Sequence, residues 1–314
     1  MDSALRAHLD QHGGVLSTKA AARLGLSGND LRALVRAGVL TRVARGAYVE
    51  TKLLQGVSPE EHHRRRTIGI VVSRHGRLAA CQQSAAVLHG LPVLDKELEL
   101  VHTVHTREGQ DGGRRFDTYR IYPFPGEDAL THKDGVPTVI PALAVLGTSL
   151  RAGLWSGQVA TDAALRAGLT TKEELTSWLE RMPRHPGIAR ARQVVNQADA
   201  RSESAGESIL RLLLADLGYI AIPQHKVKDA SGKVIARVDF YLPEIDVVVE
   251  FDGMVKYGGK DGKDALEAER QRERRIRGLG HGVARVVWAD LYNVTRIKNE
   301  IHAAYRSRTS TSRR

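Results

Sequence analysis

The sequence predicts a multidomain protein of the α+β class, on three observations. The chain has 314 residues, of which 42% are hydrophobic, so it can build two or three domains with proper cores. Capped helical segments and a glycine-pinched strand pair follow one another within residues 1–56. Within residues 201–306, helical segments flank a Val-rich strand hairpin. Residues 57–200 mix helix and strand patterns, and residues 307–314 form a basic tail.

The first 56 residues have the pattern of a helix-turn-helix followed by a wing. Ser17 and Ser27 are expected to cap two short helices, which Gly25 separates. Residues 40–49 alternate like two strands joined at Gly46, and such a pair forms a wing. This arrangement predicts that the second helix exposes one side to a partner.

Side chains that read base edges or hold phosphates lie on that helix and on the wing: Asn29, Arg32, Arg36, Arg42 and Arg45. The region resembles the N-terminal winged-helix domain of AbiEi-type antitoxins. The resemblance implies that DNA is the partner and that a cognate toxin is a further one. A module that binds only protein is the alternative, because small helical hairpins also serve that purpose.

Three carboxylates converge in the predicted hairpin of residues 237–256. Alternation places Glu250 and Asp252 on one face of the second strand, and the turn at Pro243 brings Asp239 beside them. Buried carboxylates require a compensating cation, and hard oxygen ligands suit Mg²⁺ or Mn²⁺. We therefore expect these three residues to bind one divalent ion, and at least one of them to have a raised pKa without metal. A solvated acidic face is the alternative.

The order of an acidic helix, this hairpin, a further helix and a final strand resembles the PD-(D/E)xK nuclease superfamily. Within it, the match is to the branch related to very-short-patch-repair endonucleases, over roughly residues 202–292. Asp252 stands where the superfamily's basic pattern has lysine, so Lys256 is the candidate catalytic lysine. The resemblance also implies that Glu207, in the first turn of the preceding helix, positions a second ion or a water. The expected fold here is a restriction-endonuclease-like α/β domain.

The helix that follows the hairpin is rich in arginine. Either it lies along a phosphate backbone or it presents a solvated face; its arginines are Arg270, Arg272, Arg274, Arg275 and Arg277.

The middle region, residues 57–200, is expected to be a spacer or a dimerisation domain, which makes a homodimer a further expectation. Residues 77–89 have the pattern of a helix, and Ser84–Leu91 resembles a motif frequent between the winged helix and the nuclease-like domain. His62 and His63, beside a run of arginines, belong either to a phosphate contact or to a solvated face, the second being favoured.

The overall charge favours a polyanionic partner. Lysine and arginine exceed aspartate and glutamate by +11, with a pI near 9.9, so nucleic acid is the expected partner rather than a membrane. A single cysteine, Cys81, excludes an internal disulfide framework. No signal-peptide or membrane-spanning pattern is seen, so a cytoplasmic protein is expected.

Two functions follow from these features. The first is a divalent-metal-dependent DNA endonuclease directed by the winged helix, acting in defence or repair. The alternative is a non-catalytic repressor like the AbiEi antitoxins, with a nuclease-derived domain as scaffold. The catalytic residues expected for the first function are Asp239, Glu250, Asp252, Lys256 and Glu207.

Overall fold

A computed structural model of the chain describes residues 3–94, 98–110, 112–253 and 262–308, with side chains from residue 267 onward in the last range. The chain divides into two compact units, Met1–Ala198 and Asp199–Arg314.

The N-terminal unit combines helices with two sheets. Its helices are α1 (Ser3–Gln11), α2 (Thr18–Arg23), α3 (Gly28–Arg36), α4 (Pro59–Val72), α5 (Gln82–Leu88), α6 (Pro141–Arg151), α7 (Leu154–Arg166), α8 (Lys172–Glu180) and α9 (Ile188–Gln197). Its strands are β1 (Val15–Ser17), β2 (Leu40–Ala44), β3 (Ala47–Glu50), β4 (Leu78–Ala80), β5 (Val101–His105), β6 (Arg114–Arg115), β7 (Tyr119–Tyr122), β8 (Leu130–Lys133) and β9 (Val136–Val139).

The first elements follow the order α1-β1-α2-α3-β2-β3, and the three strands form an antiparallel sheet in the order β1-β3-β2. The predicted caps are confirmed: the Ser17 hydroxyl accepts a hydrogen bond from the Ala20 N–H at 3.0 Å. Ser27 forms a reciprocal capping box with Asp30. The strand pair pinched at Gly46 is also confirmed.

This small sheet has two buried faces. One face covers a cluster within the first helices, which includes Leu5, Leu16 and Leu31. The other shares a core with α4, where a Cβ at Gly69 would meet the Val49 side chain at 2.6 Å. Residues 1–56 therefore share a core with the following region, and the structure has no division between compact units at residue 56.

The middle region folds around a six-stranded sheet of order β6-β7-β5-β4-β9-β8. The helix predicted over residues 77–89 was wrong in its first turn, because Leu78–Ala80 is strand β4 and α5 begins at Gln82. β4 pairs with β5 on one side and with β9 on the other. These long-range pairings override the helix propensity of the alanines.

The expectation of a solvated face or a phosphate contact was wrong for His63. Its side chain is only 1% exposed, and Nδ1 lies 2.8 Å from the Leu98 carbonyl oxygen. Nε2 lies 2.8 Å from Ser84 Oγ, which itself accepts a hydrogen bond from the His102 N–H. Burial lowers the pKa of His63 to about 4, so the ring is neutral and structural.

In the described residues of the C-terminal unit, a four-stranded sheet is accompanied by three α-helices. The helices are α10 (Ala205–Asp216), α11 (Gly262–Gly278) and α12 (Val294–Ser307), and the strands are β10 (Ile222–Lys228), β11 (Val234–Leu242), β12 (Val247–Asp252) and β13 (Gly282–Val287). The sheet order is β10-β11-β12-β13, with two antiparallel pairs and then a parallel pair. α11 makes the crossover that a parallel pair requires. The predicted turn at Pro243 is confirmed.

α10 approaches β12 very closely at Gly206. A Cβ on this glycine would lie 1.9 Å from the Phe251 ring, so only glycine fits. The Phe251 ring also packs edge-on against Trp288 at 5.4 Å. Among the described residues, no helix has the length and apolar character needed to cross a membrane.

Candidate functional site

The first candidate site is a basic groove between α3 and β2. The groove has a volume of about 450 Å³, and it is lined by Asn29, Leu31, Arg32, Val35, Arg36, Arg42 and Tyr48. Four of the five predicted DNA-binding residues therefore lie in one concave surface. All four residues are exposed, and Leu31 is the buried residue of α3.

The arginines of this groove differ in how they are held. Arg32 Nε donates to the Gly28 carbonyl oxygen at 3.2 Å, and its guanidinium also hydrogen-bonds Asn29 Oδ1. Arg36 and Arg42 form no ion pair with a carboxylate anywhere in the described part of the chain. Two cations with no carboxylate partner among the described residues, in a groove between a helix and a strand, suit a phosphate backbone.

Arg45 lies outside this groove, in the turn between β2 and β3. Its carbonyl oxygen accepts a hydrogen bond from Arg74 Nη2 at 3.2 Å. Arg74 also donates to the Tyr119 hydroxyl and lies over the Tyr119 ring at 5.2 Å. The turn between β2 and β3 is thus hydrogen-bonded to Arg74, just after α4, and Arg45 itself is exposed.

The second candidate site is a group of carboxylates around Asp239 on β11. Asp239 Oδ2 accepts a hydrogen bond from the Phe251 N–H at 2.8 Å. Burial raises the pKa of Asp239 to about 6. The Phe251 N–H and Arg272 oppose this rise, whereas the nearby carboxylates of Glu207 and Glu250 add to it. The raised pKa expected for one carboxyl of the hairpin therefore occurs at Asp239.

Glu207 reaches this group from the first turn of α10. The residue is buried, and its Oε2 accepts hydrogen bonds from the Glu203 N–H and from Gln224 Nε2, both at 2.9 Å. Ser204 caps the helix through the Glu207 N–H. The close contact at Gly206 brings this helix start against β12, so Glu207 lies within electrostatic reach of Asp239.

Glu250 is buried and ion-paired. Its Oε1 lies 2.6 Å from Arg272 Nη2 on α11. The same nitrogen donates to the Arg237 carbonyl oxygen at 2.7 Å, and Arg272 Nη1 lies 3.1 Å from Glu269. Glu250 thus has its own cation among the described residues.

Asp252 belongs to a neighbouring ion-pair network. Its Oδ2 lies 3.5 Å from Arg285 Nη1 on β13. Arg285 Nη2 also lies 2.9 Å from both Glu269 and Glu273 on α11. Because Glu269 contacts Arg272 as well, the two networks are continuous. Glu207 and Glu250 lie within electrostatic reach of Asp239, and Asp252 pairs with Arg285.

Carboxylate oxygens are the donors that a divalent ion prefers, so these side chains fit Mg²⁺ or Mn²⁺ by chemistry. In the described ranges, no three His, Cys, Asp or Glu side chains are grouped closely enough to hold a metal ion. Lys256 lies outside the described residues.

Sequence reasoning missed three polar partners of the acidic site: Gln224, Arg272 and Arg285. For Arg272 a signal was present, because α11 repeats arginine and glutamate at helical spacing, the pattern of an ion-paired face. For Gln224 the signal is conformational: it has φ of +54° within β10, which no composition rule indicates.

The comparisons with known proteins address the N-terminal region first. Residues 3–51 match the family model described as a transcriptional regulator, AbiEi antitoxin. The N-terminal region, which contains the basic groove, is therefore an AbiEi-antitoxin-like transcriptional regulator domain. Along most of its length the chain is also similar to two proteins of Mycobacterium tuberculosis strains, the uncharacterized proteins MT2308 and Rv2248. Each is 25% identical over 269 residues, which cover 82% of this chain and 89% of the relative.

Proposed function

We propose that the protein is a DNA-directed, divalent-metal-dependent phosphodiesterase, in which the N-terminal groove holds duplex DNA and the C-terminal unit cleaves it. The observation that carries the enzymatic part is Asp239. Burial raises the pKa of its carboxyl, the nearby carboxylates of Glu207 and Glu250 add to this rise, and perturbed carboxyls of this kind are concentrated at functional sites.

The connection of the C-terminal unit supports this proposal. Its order, α10-β10-β11-β12-α11-β13, combines a hairpin with a parallel strand reached through a helix. The PD-(D/E)xK resemblance implies this order of acidic helix, hairpin, helix and strand. Asp239 and Glu250 then lie on adjacent central strands, and Glu207 lies at the start of the helix.

Asp239 and Glu250 are the proposed metal ligands, with Asp252 completing the set as a ligand or as a group that orients water. A bound divalent ion supplies Lewis-acid activation of the phosphodiester and of a water molecule. Asp239, with a pKa of about 6, is mostly ionised at neutral pH and is available as a ligand. Glu207 holds Gln224 and positions a water, and Lys256 is proposed to stabilise charge that develops on the phosphate.

The basic groove supports DNA as the partner. Arg36 and Arg42 offer cations that pair with no carboxylate of the described residues, and Arg32 and Asn29 present a hydrogen-bonded pair at the same surface. The exposed arginines of α11, such as Arg274 and Arg275, can follow a phosphate backbone. A cognate toxin and a second copy of the chain are the other partners that we propose to test.

A specific observation favours a second function, a non-catalytic repressor whose C-terminal unit is a scaffold. Glu250 is neutralised by Arg272 at 2.6 Å, and Asp252 by Arg285 at 3.5 Å. These ion pairs compensate the carboxylates without metal, so a scaffold can retain them. The two functions share the DNA-binding groove and differ in whether Glu250 would bind a divalent ion or remain paired with Arg272.

The full chain, offered labelled duplex DNA, single-stranded DNA and RNA with Mg²⁺, Mn²⁺ or EDTA, separates these functions. For the nuclease, we expect metal-dependent cleavage that Glu250→Gln abolishes. The matched control is Asp216→Asn, which changes an exposed carboxylate at the end of α10 and should leave cleavage intact. Retained DNA binding with no cleavage under any condition would establish the repressor function.

A further inference from the structure

The middle region contains a pocket that neither the groove nor the acidic site uses. It has a volume of about 490 Å³ between the sheet and helices α6 and α8. Its walls are mainly apolar and aromatic, including Tyr122, Phe124, Leu143, Leu146, Trp178 and Met182. Several of these residues are only partly buried against the main core, so the pocket leaves apolar surface uncovered. The volume of this pocket and its mainly apolar lining are typical of a binding site for a small organic molecule.

Two arginines at this pocket are held differently. Arg181 lies 3.8 Å over the Trp178 ring, and its Nη1 is paired with Asp128 Oδ2 at 2.7 Å. Arg151 lies over the Tyr122 ring at 5.6 Å. It forms an ion pair with no carboxylate of the described ranges. The pocket thus combines an apolar wall with a cation, Arg151, that has no carboxylate partner among the described residues.

A strained residue forms part of the lining. Gln82 has φ of +52°, which non-glycine residues adopt rarely, and its side chain is only 9% exposed. It packs against Gly147, where a Cβ would lie 2.8 Å from Gln82 Cγ. The hydroxyl of Tyr122, another lining residue, lies 3.0 Å from His102 Nδ1. Strain of this kind is concentrated at ligand and active sites, where packing holds it in place.

We propose that this pocket binds an amphipathic organic anion, a small carboxylate with an aliphatic or aromatic body. The body lies against Leu143 and Trp178, which bury their uncovered apolar surface. The carboxylate pairs with Arg151, the lining cation without an acidic partner. The site is independent of the proposed nuclease and repressor functions, because none of its residues belongs to the groove or to the acidic group.

The test compares two probes that share an alkyl chain, decanoate and 1-decanol, by calorimetric titration of the full chain. We expect both to bind at one site per chain, decanoate about tenfold more tightly, because only decanoate forms a charge-assisted hydrogen bond. Arg151→Gln should remove this tenfold preference and leave the affinity for decanol unchanged. Arg192→Gln, an exposed arginine on α9 outside the pocket, is the matched control and should preserve the preference.

Leu143→Trp should narrow the pocket and weaken the binding of both probes, and a melting curve checks that the variant is folded. The proposal is overturned if the wild type binds neither probe, or if Arg151→Gln keeps the preference for decanoate. Equal affinity of the wild type for both probes would equally overturn the assignment of an anion. Sedimentation tests whether the chain associates with itself through this pocket. If it does, and if Leu143→Trp removes the association, the pocket binds a second copy of the chain and the small-molecule proposal is overturned.

Discussion

Arg272 Nη2 on α11 lies 2.6 Å from Glu250 Oε1 on β12, so an arginine neutralises the buried carboxylate of a Val-rich strand. Arg272 is itself fixed by Glu269 and by the carbonyl oxygen of Arg237. Because these contacts already restrain the Arg272 side chain, it loses little conformational entropy when it pairs with Glu250. The pair should therefore contribute more to stability than an ion pair on the surface does. In the absence of metal, Arg272 therefore compensates the negative charge of Glu250. The contribution of this ion pair to stability can be measured.

Arg272→Gln should destabilise the metal-free protein by about 2–3 kcal/mol, because the substitution leaves Glu250 buried without a cation. Mg²⁺ or Mn²⁺ should restore part of this loss if Glu250 is a metal ligand. Urea denaturation with EDTA and with each ion measures both effects. Arg274→Gln, an exposed arginine on the same helix, is the control and should change stability by less than about 0.5 kcal/mol.

Asp239 gives the C-terminal unit a defined pH dependence in EDTA. Its folded pKa of about 6 lies above the unfolded value, so the native state binds the proton more tightly. Its contribution to stability is therefore present below pH 4 and is lost as the pH rises through 6. Asp239→Asn should remove this loss, which we expect to be roughly 2 kcal/mol. Hydrogen exchange of residues 247–252 across pH 4–7 measures it, and an unchanged slope in the variant would contradict the assignment.

His63 should give the N-terminal unit the opposite slope. Its folded pKa of about 4 lies below the usual value of 6.5, so the unfolded chain binds the proton more tightly. Stability should fall as the pH is lowered from 6.5 to 4, by about 3 kcal/mol from this residue. His63→Gln should be less stable at pH 7 but should lose most of this slope. His132→Gln, at an exposed position, should keep the wild-type slope in hydrogen exchange of residues 63–72.

Gly206→Ala should destabilise the C-terminal unit by about 1–3 kcal/mol, because its Cβ collides with the Phe251 ring. To relieve this collision, the start of α10 should move away from β12 and carry Glu207 away from Asp239. The pKa of Asp239 should therefore fall. Gly278→Ala is the matched control, since a Cβ there meets nothing within 4 Å. Thermal melting compares the two variants, and equal melting temperatures would show that α10 has room to move.

Arg36→Ala should weaken binding of duplex DNA by the full chain. If Arg36 contacts phosphate, the loss is equal for all sequences and the salt dependence falls by about one log unit per log unit of salt. If it reads a base, the loss depends on sequence. Fluorescence anisotropy at several salt concentrations distinguishes the two contacts. The control is Arg192→Ala, which lies outside the groove. If Arg36→Ala binds every sequence as tightly as this control does, Arg36 is not part of the DNA interface.

The sequence by itself determined the local elements and the nature of the two candidate sites. Ser17 and Ser27 cap their helices because hydroxyl caps act within four residues, a range that the sequence displays directly. Strand alternation similarly placed Glu250 and Asp252 on one face. The basic side chains of α3 followed from helical spacing around Leu31.

Only the tertiary structure decided which charges compensate one another and which segments share a core. Arg272 and Arg285 reach the hairpin from elements at least twenty residues later in the chain, and several carboxylates compete for each. The sequence pattern predicted a helix over residues 77–89, but β4 forms at the start of this segment because β5 and β9 supply its hydrogen bonds. The charged neighbours of His63 in the sequence predicted an exposed side chain. In the structure it is buried and hydrogen-bonded to Leu98 and Ser84. Long-range partners fix these outcomes, because the free energy of burying a charge or a strand depends on what lies across from it.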